Sequence, residues 1–201
     1  MKIPRHAPRL KKIAELASSD DCVLVYQDEV HFQQQTTITR AWNKKGSKPT
    51  IKSFPGRSKV SYSGFVIPET GELFTTKPDR FNYLTFIDSV TAFIDANPIE
   101  EGKRYVIVLD NAPWHKKAVR LIQEDCLEEY QHVRDSVEFL KLPPYSPDLN
   151  PIEQVWRITR RENTHNTFFD SVSIMEHTVD TALAAWAEPN DQLRSLCSFK
   201  S

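Results

Sequence analysis

Three acidic residues lie where a strand is predicted to end or a helix to begin. Asp28 and Asp110 each follow a short apolar run, and Glu153 follows a proline-rich phrase. A charge at the end of a buried run is costly unless something compensates it, and a divalent cation does so. Mg²⁺ prefers carboxylate oxygens and works beside phosphate, and two such ions can clamp the attacking and leaving oxygens of a phosphodiester. The three acids together predict metal-assisted cleavage or transfer of nucleic-acid strands.

Each acid also has a purely structural explanation when it is taken alone. Asp28 and Asp110 are suited to Asx-turns and helix caps, where Asp is common. Asn150, Pro151 and Glu153 stand in the order N-cap, N1 and N3. That order is typical of a capping box, in which the glutamate returns to the cap amide. At the level of the sequence these alternatives stay open.

The helix that begins near Glu153 favours a functional role for this residue. Arg157 and Arg160 follow it at i+4 and i+7, so the three side chains share one helix face. A carboxylate with arginines further along the same face suits a metal ion first and a phosphate backbone next.

Apolar periodicity and turn residues predict the elements that position these acids. Strands are predicted over 22–27, 60–67, 72–76, 104–109 and 137–141, with a further strand or hairpin within 30–42. Helices are predicted over 9–17, 81–94, 114–130, 151–163 and 171–187. Strands come first, then helices and strands alternate. This order predicts an α/β fold in which helices flank a mixed central sheet.

The overall composition limits the class of protein. The chain has 201 residues, a formal net charge of −1 and three cysteines. This composition indicates an ordinary soluble domain, and the absence of a CxxC pair argues against a disulfide framework or zinc ribbon. The near-zero charge means that any binding of nucleic acid depends on local basic patches. No apolar run is long enough to cross a membrane and no signal peptide is present, so we expect a location in the cytosol or nucleoid.

Several phrases of the sequence belong together. They are Asp28-Glu29, Asp110-Asn111 followed by His115, Arg40-Ala41-Trp42 with Gly46, and Tyr145-Ser146-Pro147-Asp148-Leu149-Asn150-Pro151-Ile152-Glu153. This set resembles the DDE catalytic domain of mariner-like bacterial insertion-sequence transposases, whose Trp-x-x-x-Gly element corresponds to Trp42 and Gly46. The resemblance covers residues 20–165, and the last phrase is its most specific part.

The resemblance implies an RNase H-like fold in which Asp28, Asp110 and Glu153 are the catalytic residues. They would hold two Mg²⁺ ions, for which Mn²⁺ substitutes, and Asn111 and His115 would support the site. Water would first nick the end of a mobile element. The freed 3′-hydroxyl would then attack target DNA, without a covalent intermediate on the enzyme.

Basic residues near these phrases are candidates for contacts with the DNA backbone. They are Lys44, Lys45, Lys48, Arg57, Lys116, Lys117, Arg157 and Arg160. Trp42 and Trp114 are suited to stacking on unpaired bases. Charged loops are commonly only solvated and tryptophans are commonly buried, so both groups have a structural alternative.

The resemblance also predicts the organisation and partners of the chain. We expect a basic lead-in and helix over 1–20, the catalytic domain over 21–165 and a C-terminal helix packed on that domain over 166–201. The partners would be transposon ends and target DNA, with a homodimer assembled on them. The family carries helix-turn-helix domains before the first strand, so recognition of the ends would come from a separate chain or a missing region. Two other functions stay open: a nuclease without strand transfer, and a truncated fragment that only binds DNA or a partner.

Overall fold

The computed structural model describes residues 7–40, 42–47, 50–53, 55–143 and 149–197. Five strands form one sheet in the order β3-β2-β1-β4-β5. They are β1 (Cys22–Gln33), β2 (Lys59–Ile67), β3 (Glu72–Thr76), β4 (Arg104–Leu109) and β5 (Val137–Lys141). β1 runs antiparallel to β2 and parallel to β4, and β4 runs parallel to β5. The predicted mixed sheet is confirmed.

Seven α-helices surround the sheet in the described part of the chain. They are α1 (Ala7–Ala17), α2 (Tyr83–Ala96), α3 (Pro113–Val119), α4 (Gln131–Ser136), α5 (Ile152–Thr159), α6 (Val172–Ala184) and α7 (Asp191–Cys197). α3 and α5 each continue into one π-helical turn, Arg120–Glu124 and Arg160–Thr164. No described helix is long and apolar enough to span a membrane.

Each face of the sheet has its own apolar core. Tyr26, Val108 and Trp156 belong to the cluster that α1, α5, α6 and α7 cover. Val25 and Ile107 belong to the second cluster, which lies under α2, α3 and α4. Successive side chains of a strand point to opposite faces. Consecutive residues of β1, and likewise of β4, therefore contribute to different cores. The same alternation directs consecutive side chains beyond these runs to opposite faces of the sheet.

The first strand is longer than predicted. It continues to Gln33, so Asp28 lies within β1 and not at its end. The predicted second strand or hairpin within 30–42 is wrong, because beyond Gln33 the described residues of this range form only an isolated bridge from Thr37 to His165. β1 extends because β2 pairs with it antiparallel as far as Gln33, whereas β4 pairs only as far as Tyr26.

Two helix predictions also require correction. The single helix predicted over 114–130 is divided, and a π turn and a 3₁₀ turn separate α3 from α4. Cys126 lies between them with a positive φ of 52°, a conformation that a continuous helix cannot contain. The last predicted helix ends at Ala184, and α7 follows it as an element that the sequence reading missed.

Candidate active site

The parallel pairing of β1 and β4 brings Asp28 and Asp110 to one edge of the sheet. The last paired residues are Tyr26 and Val108, and the same register places Asp28 beside Asp110 two residues further on. β4 ends at Leu109, so Asp110 begins the connection to α3 while Asp28 stays paired to β2 opposite Gly64. The predicted convergence of the two aspartates follows from this register.

Trp156 of α5 fixes the carboxylate of Asp28. Its indole Nε1 donates a hydrogen bond to Asp28 Oδ2 at 3.1 Å. The ring lies against Gly64, where an added Cβ would come within 2.4 Å of Trp156 Cη2. A glycine at this position of β2 therefore lets the indole lie close to the sheet and reach Asp28.

The environment of Asp28 disfavours its negative charge. Burial, followed by the charges of Glu153 and Glu29, raises its pKa from 3.8 to about 8. Asp110 adds a smaller contribution in the same direction. A carboxyl group crowded by other carboxylates ionises readily only when a cation joins them. Asp28 therefore lies at the centre of an acidic cluster that includes the two other predicted catalytic residues.

Asp110 is held by a backbone amide and by the imidazole of His115, a donor that Asp28 lacks. Its Oδ1 accepts hydrogen bonds from the Ala112 amide at 2.8 Å and from His115 Nδ1 at 2.7 Å. The other ring nitrogen of His115 contacts Glu29 Oε1 at 2.9 Å. The His115 side chain is fully buried and that of Glu29 is 7% exposed, whereas that of Asp110 is 54% exposed. The outer part of the Asp110 carboxylate therefore stays accessible.

His115 carries a positive charge in this arrangement. A neutral imidazole has one N–H and could donate to only one of its two carboxylate neighbours. Burial alone lowers the pKa of His115, but the hydrogen bonds to Asp110 and Glu29 outweigh it and raise the pKa to about 9. Burial likewise favours the neutral form of Asp110, but the hydrogen bonds from His115 and the Ala112 amide hold its pKa below the ordinary value.

Glu29 is the residue that the sequence reading missed. It was noticed only as the neighbour of Asp28, yet it forms the inner end of the chain Glu29–His115–Asp110. Gln27 Nε2 donates to Glu29 Oε1 at 3.0 Å and holds it from the same face of β1. Strand alternation was the available signal, because it directs Glu29 away from Asp28 and towards the helix that carries His115.

The capping-box explanation for Glu153 is not supported. Pro151 is the N-cap residue of α5, and no side-chain hydrogen bond caps the helix. Asn150 instead donates from Nδ2 to the backbone oxygen of Gln27 at 3.1 Å. That bond ties the start of α5 to β1 beside Asp28. Glu153 is partly exposed and lies one turn before Trp156, on the same helix whose indole holds Asp28.

The other predicted site residues have mixed positions. Asn111 donates to the oxygen of Leu142 at 2.7 Å, so it joins the ends of β4 and β5. Lys116 is exposed and its charge helps to lower the pKa of Asp110. Lys117 is exposed, and its Nζ lies 3.5 Å from the centre of the Tyr83 ring.

The remaining predicted basic residues lie on α5 and on the segment between β1 and β2. Arg157 is exposed on α5, and Arg160 begins the π turn that follows it. Lys44, Lys45 and Arg57 are exposed. Lys48 lies outside the described residues, as do Ala41 and residues 144–148 of the motifs. Trp42 is fully exposed and Trp114 half-buried, so the burial expected of a tryptophan does not hold for Trp42.

The acidic cluster suits a hard divalent cation although it does not enclose one. In the described part of the chain, no three His, Cys, Asp or Glu side chains are grouped closely enough to hold a metal ion. Mg²⁺ keeps several waters and needs only one or two carboxylates from the protein. Asn150 Oδ1 and Gln27 Oε1 are buried nearby without a hydrogen-bond partner among the described residues, so water or a ligand can complete the polar surroundings.

Most of the chain matches one protein family. Residues 23–176 match the family described as DDE superfamily endonuclease. The chain belongs to this family. The matched range contains Asp28, Asp110 and Glu153 and ends within α6. The family named from the sequence motifs is therefore confirmed.

Relatives of known sequence or structure agree with this assignment. The uncharacterized protein y4pE/y4sA of Sinorhizobium fredii is 33% identical over 95 residues, which cover 47% of this chain and 59% of that protein. The Mos1 mariner paired end complex with Mn has a TM-score of 0.63 and 19% identity, over 96% of this chain and 58% of that one. The paired end complex with Mg has a TM-score of 0.60 and 21% identity, over 98% and 60%. This likeness confirms the predicted RNase H-like fold, and the chain spans less than two thirds of each relative.

Proposed function

We propose that this chain is the catalytic domain of a transposase that cuts DNA strands at the ends of a mobile element and joins them to target DNA. The observation that carries the proposal is geometric: the register of β1 and β4 places Asp110 beside Asp28, and the Trp156–Asp28 hydrogen bond brings α5, which carries Glu153, to the same carboxylate. Membership of the DDE superfamily endonuclease family supplies the reaction class.

Asp28, Asp110 and Glu153 are the residues proposed to hold two divalent ions, Mg²⁺ or Mn²⁺. The matching Mos1 mariner complexes contain Mn and Mg, which supports a divalent metal here. When bound, such ions supply charge stabilisation at the attacking and leaving oxygens of the phosphodiester. The side chains of this chain set where those oxygens can lie.

The remaining residues of the site orient the carboxylates. Trp156 holds one oxygen of Asp28, and His115 with the Ala112 amide holds one oxygen of Asp110. Both bonds to Asp110 use Oδ1, so its second oxygen is left for a ligand. Partners that fix a ligating carboxylate commonly change metal affinity by about 10–100-fold when they are lost. His115 is therefore proposed as a positioning residue, and Asn111 holds the strand ends below it.

DNA is the proposed substrate, and eight basic residues are proposed to bind its backbone. They are Lys44, Lys45, Lys48, Arg57, Lys116, Lys117, Arg157 and Arg160. The matching Mos1 structures are complexes of paired transposon ends, which supports binding to such ends. A homodimer on DNA in the cytosol or nucleoid completes the proposal.

An assay with pre-nicked DNA tests this function. The full chain is mixed with Mn²⁺ and a duplex that carries a free 3′-hydroxyl, taken from DNA that flanks the gene on either side. Joined strands support the transposase. Cleavage without joining indicates the nuclease, and binding without either reaction indicates the fragment that only binds DNA.

A pair of glutamate variants locates the activity. Glu153→Gln is expected to abolish both reactions while the protein stays folded. Glu162→Gln serves as the matched control, because Glu162 is exposed on the π turn after α5 and pairs with Arg161. Activity that survives Glu153→Gln would exclude Glu153 from the site.

A further inference from the structure

Glu29 and His115 are buried polar residues beside the proposed metal-binding acids. Glu29 follows Asp28 on β1 and its side chain is 7% exposed, whereas that of His115 on α3 is fully buried. His115 Nε2 lies 2.9 Å from Glu29 Oε1, and Nδ1 lies 2.7 Å from Asp110 Oδ1. The imidazole therefore connects a carboxylate that solvent scarcely reaches to one of the acids proposed to bind metal.

Glu29 is not placed to bind the same ion as Asp28. Consecutive residues of a strand point to opposite faces of the sheet, so Glu29 faces α3 while Asp28 faces α5. Glu29 Oε1 is also in contact with Gln27 Nε2, which donates to it at 3.0 Å. The carboxylate of Glu29 is thus held by neighbours inside the protein, and its influence on the site passes through them.

The sheet itself holds Glu29 in place. Gln27 Nε2 donates both to Glu29 Oε1 and, at 3.2 Å, to Ser63 Oγ of β2. Gln27 is fully buried and Ser63 is 1% exposed, and the register of β1 and β2 sets Glu29 opposite Ser63. An unbroken series of hydrogen bonds therefore runs from two paired strands through His115 to Asp110.

The bond to Glu29 determines how His115 meets Asp110. A ring nitrogen without a proton has only a lone pair, and it would face the Asp110 carboxylate as a second acceptor. Which ring nitrogen carries a proton is set by the hydrogen bond that the other nitrogen makes. Because carboxylate acceptors lie at both nitrogens, both carry protons, and Nδ1 is fixed as a donor to Asp110.

Packing alone does not give the imidazole this direction. Phe86 lies against it with 4.5 Å between the ring centres, and Trp114 meets it edge-on at 5.8 Å. Aromatic neighbours of this kind scarcely distinguish the nitrogens of the ring from its carbons. The two carboxylates make that distinction, and Asp110 is 54% exposed whereas Glu29 is 7% exposed. Glu29 is therefore the fixed end of the arrangement.

We propose that Glu29 is a positioning residue for the metal site, because it fixes His115, which in turn holds Asp110 Oδ1 and leaves Oδ2 for a divalent cation. This inference rests on the proposed function and adds to it a residue outside the three acids. Glu29 contacts neither the metal nor DNA in this role. Its loss should therefore weaken metal binding without removing a ligand.

Calorimetric titration of the full chain with Mn²⁺, in the absence of DNA, measures this effect apart from chemistry. Glu29→Met removes the carboxylate at a similar side-chain length, and we expect about tenfold weaker binding of Mn²⁺. Glu29→Gln loses the charge but keeps a polar group that can bond to His115, so it is expected to bind Mn²⁺ nearly as well as the native chain.

The order of these two variants separates positioning from charge. Equal weakening in both would mean that the charge of Glu29 attracts the cation directly. Native affinity in Glu29→Met, even at a lower melting temperature, would mean that Glu29 only stabilises the fold. Either result would overturn the proposal.

A double-mutant cycle tests whether Glu29 acts through His115. His115→Asn keeps a donor to Asp110 but is too short to reach Glu29. In that background Glu29→Met is expected to have no further effect on the affinity for Mn²⁺, because the connection is already broken. An undiminished effect would show that Glu29 acts on the metal by another route and would refute the positioning role.

Glu138→Met is the matched control for the loss of a paired glutamate. Glu138 lies on β5 and pairs with Lys12 and with Arg104, the first residue of β4, at the end of that strand opposite Asp110. Its substitution should leave the affinity for Mn²⁺ unchanged. A decrease equal to that of Glu29→Met would refute a specific role for Glu29.

Gln27→Met keeps the proposal testable if Glu29→Met does not fold. It removes the donor that holds Glu29 Oε1 but buries no unpaired charge, and we expect several-fold weaker binding of Mn²⁺. Native affinity in this variant would overturn the proposal. If the native chain bound Mn²⁺ but neither cut nor joined DNA, the proposed function would fail, whereas the same titrations would still decide the role of Glu29 in metal binding.

Discussion

Asp28 and Asp110 are neighbours in register, yet the fold treats their charges in opposite ways. Asp28 accepts hydrogen bonds from the Trp156 indole and the Glu29 backbone amide, but burial and the like charges around it outweigh them, so its pKa rises to about 8. Asp110 has a backbone amide and a charged histidine as donors, so its pKa falls below the ordinary value. The Asp110 carboxylate is therefore stabilised as an anion in the free protein. The Asp28 carboxyl ionises readily only when a cation binds beside it.

The difference follows from strand alternation along β1, which directs Asp28 and Glu29 to opposite faces of the sheet. Glu29 and His115 supply the compensation for Asp110 from the face that α3 covers, and Asp28 faces α5, which brings Glu153. In the free protein the Asp28 carboxyl tends to keep its proton. A cation bound at this site would displace that proton and favour the carboxylate. The two aspartates should therefore respond differently when each is neutralised.

The largest expected effect comes from Asp28→Asn and Asp110→Asn. Both should reduce strand cleavage by about 10³-fold or more, since electrostatic groups at a reaction centre contribute at that level. Their effects on the free energy of unfolding of the metal-free chain should have opposite signs at pH 7. At pH 7 the buried Asp28 carboxyl must take up a proton that the unfolded chain lacks, so Asp28→Asn removes this cost and stabilises by on the order of a few kcal/mol. Asp110→Asn leaves an acceptor oxygen but removes the negative charge beside buried His115, and destabilises by about 1–3 kcal/mol.

Denaturant unfolding in EDTA measures both signs. The isosteric amides keep the volume of each side chain, so they serve as controls for each other. Destabilisation by both variants would mean that Asp28 is already compensated in the free protein, and the contrast between the aspartates would be lost.

The roles of Asp28, Asp110 and Glu153 remain predictions, but their juxtaposition could be anticipated because it depends on local features. Apolar runs ending in Asp are readable in a sequence, and parallel neighbours bring such ends together. Glu29 could not be recognised in the same way. Its partner His115 is 86 residues away, and the role of each residue depends on the face to which it points.

The second prediction divides the contacts of His115 between its two nitrogens. An Asn amide nitrogen reproduces Nδ1 and a Gln amide nitrogen reproduces Nε2. His115→Asn should therefore keep the bond to Asp110, and His115→Gln should keep only the bond to Glu29. We expect His115→Gln to weaken Mn²⁺ binding by about 10–100-fold and His115→Asn to weaken it less. Calorimetric titration with Mn²⁺ measures the order, and a reversed order would show that Glu29 is the contact that matters.

The third prediction concerns the glycine beneath Trp156. In Gly64→Ala the new Cβ would overlap the indole, which must move away from Asp28. We expect a loss of about 1–3 kcal/mol in stability from overpacking, together with lower activity. Adding Trp156→Leu makes room and should restore stability without restoring activity. Recovery of both in the double variant would mean that the indole bond to Asp28 is dispensable.

The parts of the fold that the sequence did not reveal are those that depend on distant pairing. β4 and β5 are short apolar strands whose limits can be read locally, and they lie where predicted. The second half of β1 has the polar residues Asp28, Glu29 and His31, which conceal a strand. It forms because β2 pairs with it across the long intervening segment.

The smallest expected effect is the pH dependence of stability in the metal-free chain. Asp28 has a folded-state pKa of about 8 against an ordinary 3.8, so the folded state binds more protons than the unfolded state between these values. Stability must then fall as pH rises from about 4 to 8. His115 acts in a different window. Its folded pKa of about 9 exceeds the ordinary 6.5, so its contribution is complete below pH 6.5 and is lost as pH rises through 9.

Between pH 5 and 6.5, the pH dependence of stability therefore comes largely from Asp28 and only slightly from His115. The native chain should lose about 2 kcal/mol across this interval in EDTA, and Asp28→Asn should lose much less. Saturating Mn²⁺ should remove the loss in the native chain, because binding to the ionised carboxylate stabilises the folded state by mass action. Chemical unfolding at the two pH values, with and without Mn²⁺, gives the four free energies needed. Parallel curves for the two chains would place the raised pKa elsewhere and leave Asp28 an ordinary acid, as strongly ionised as Asp110.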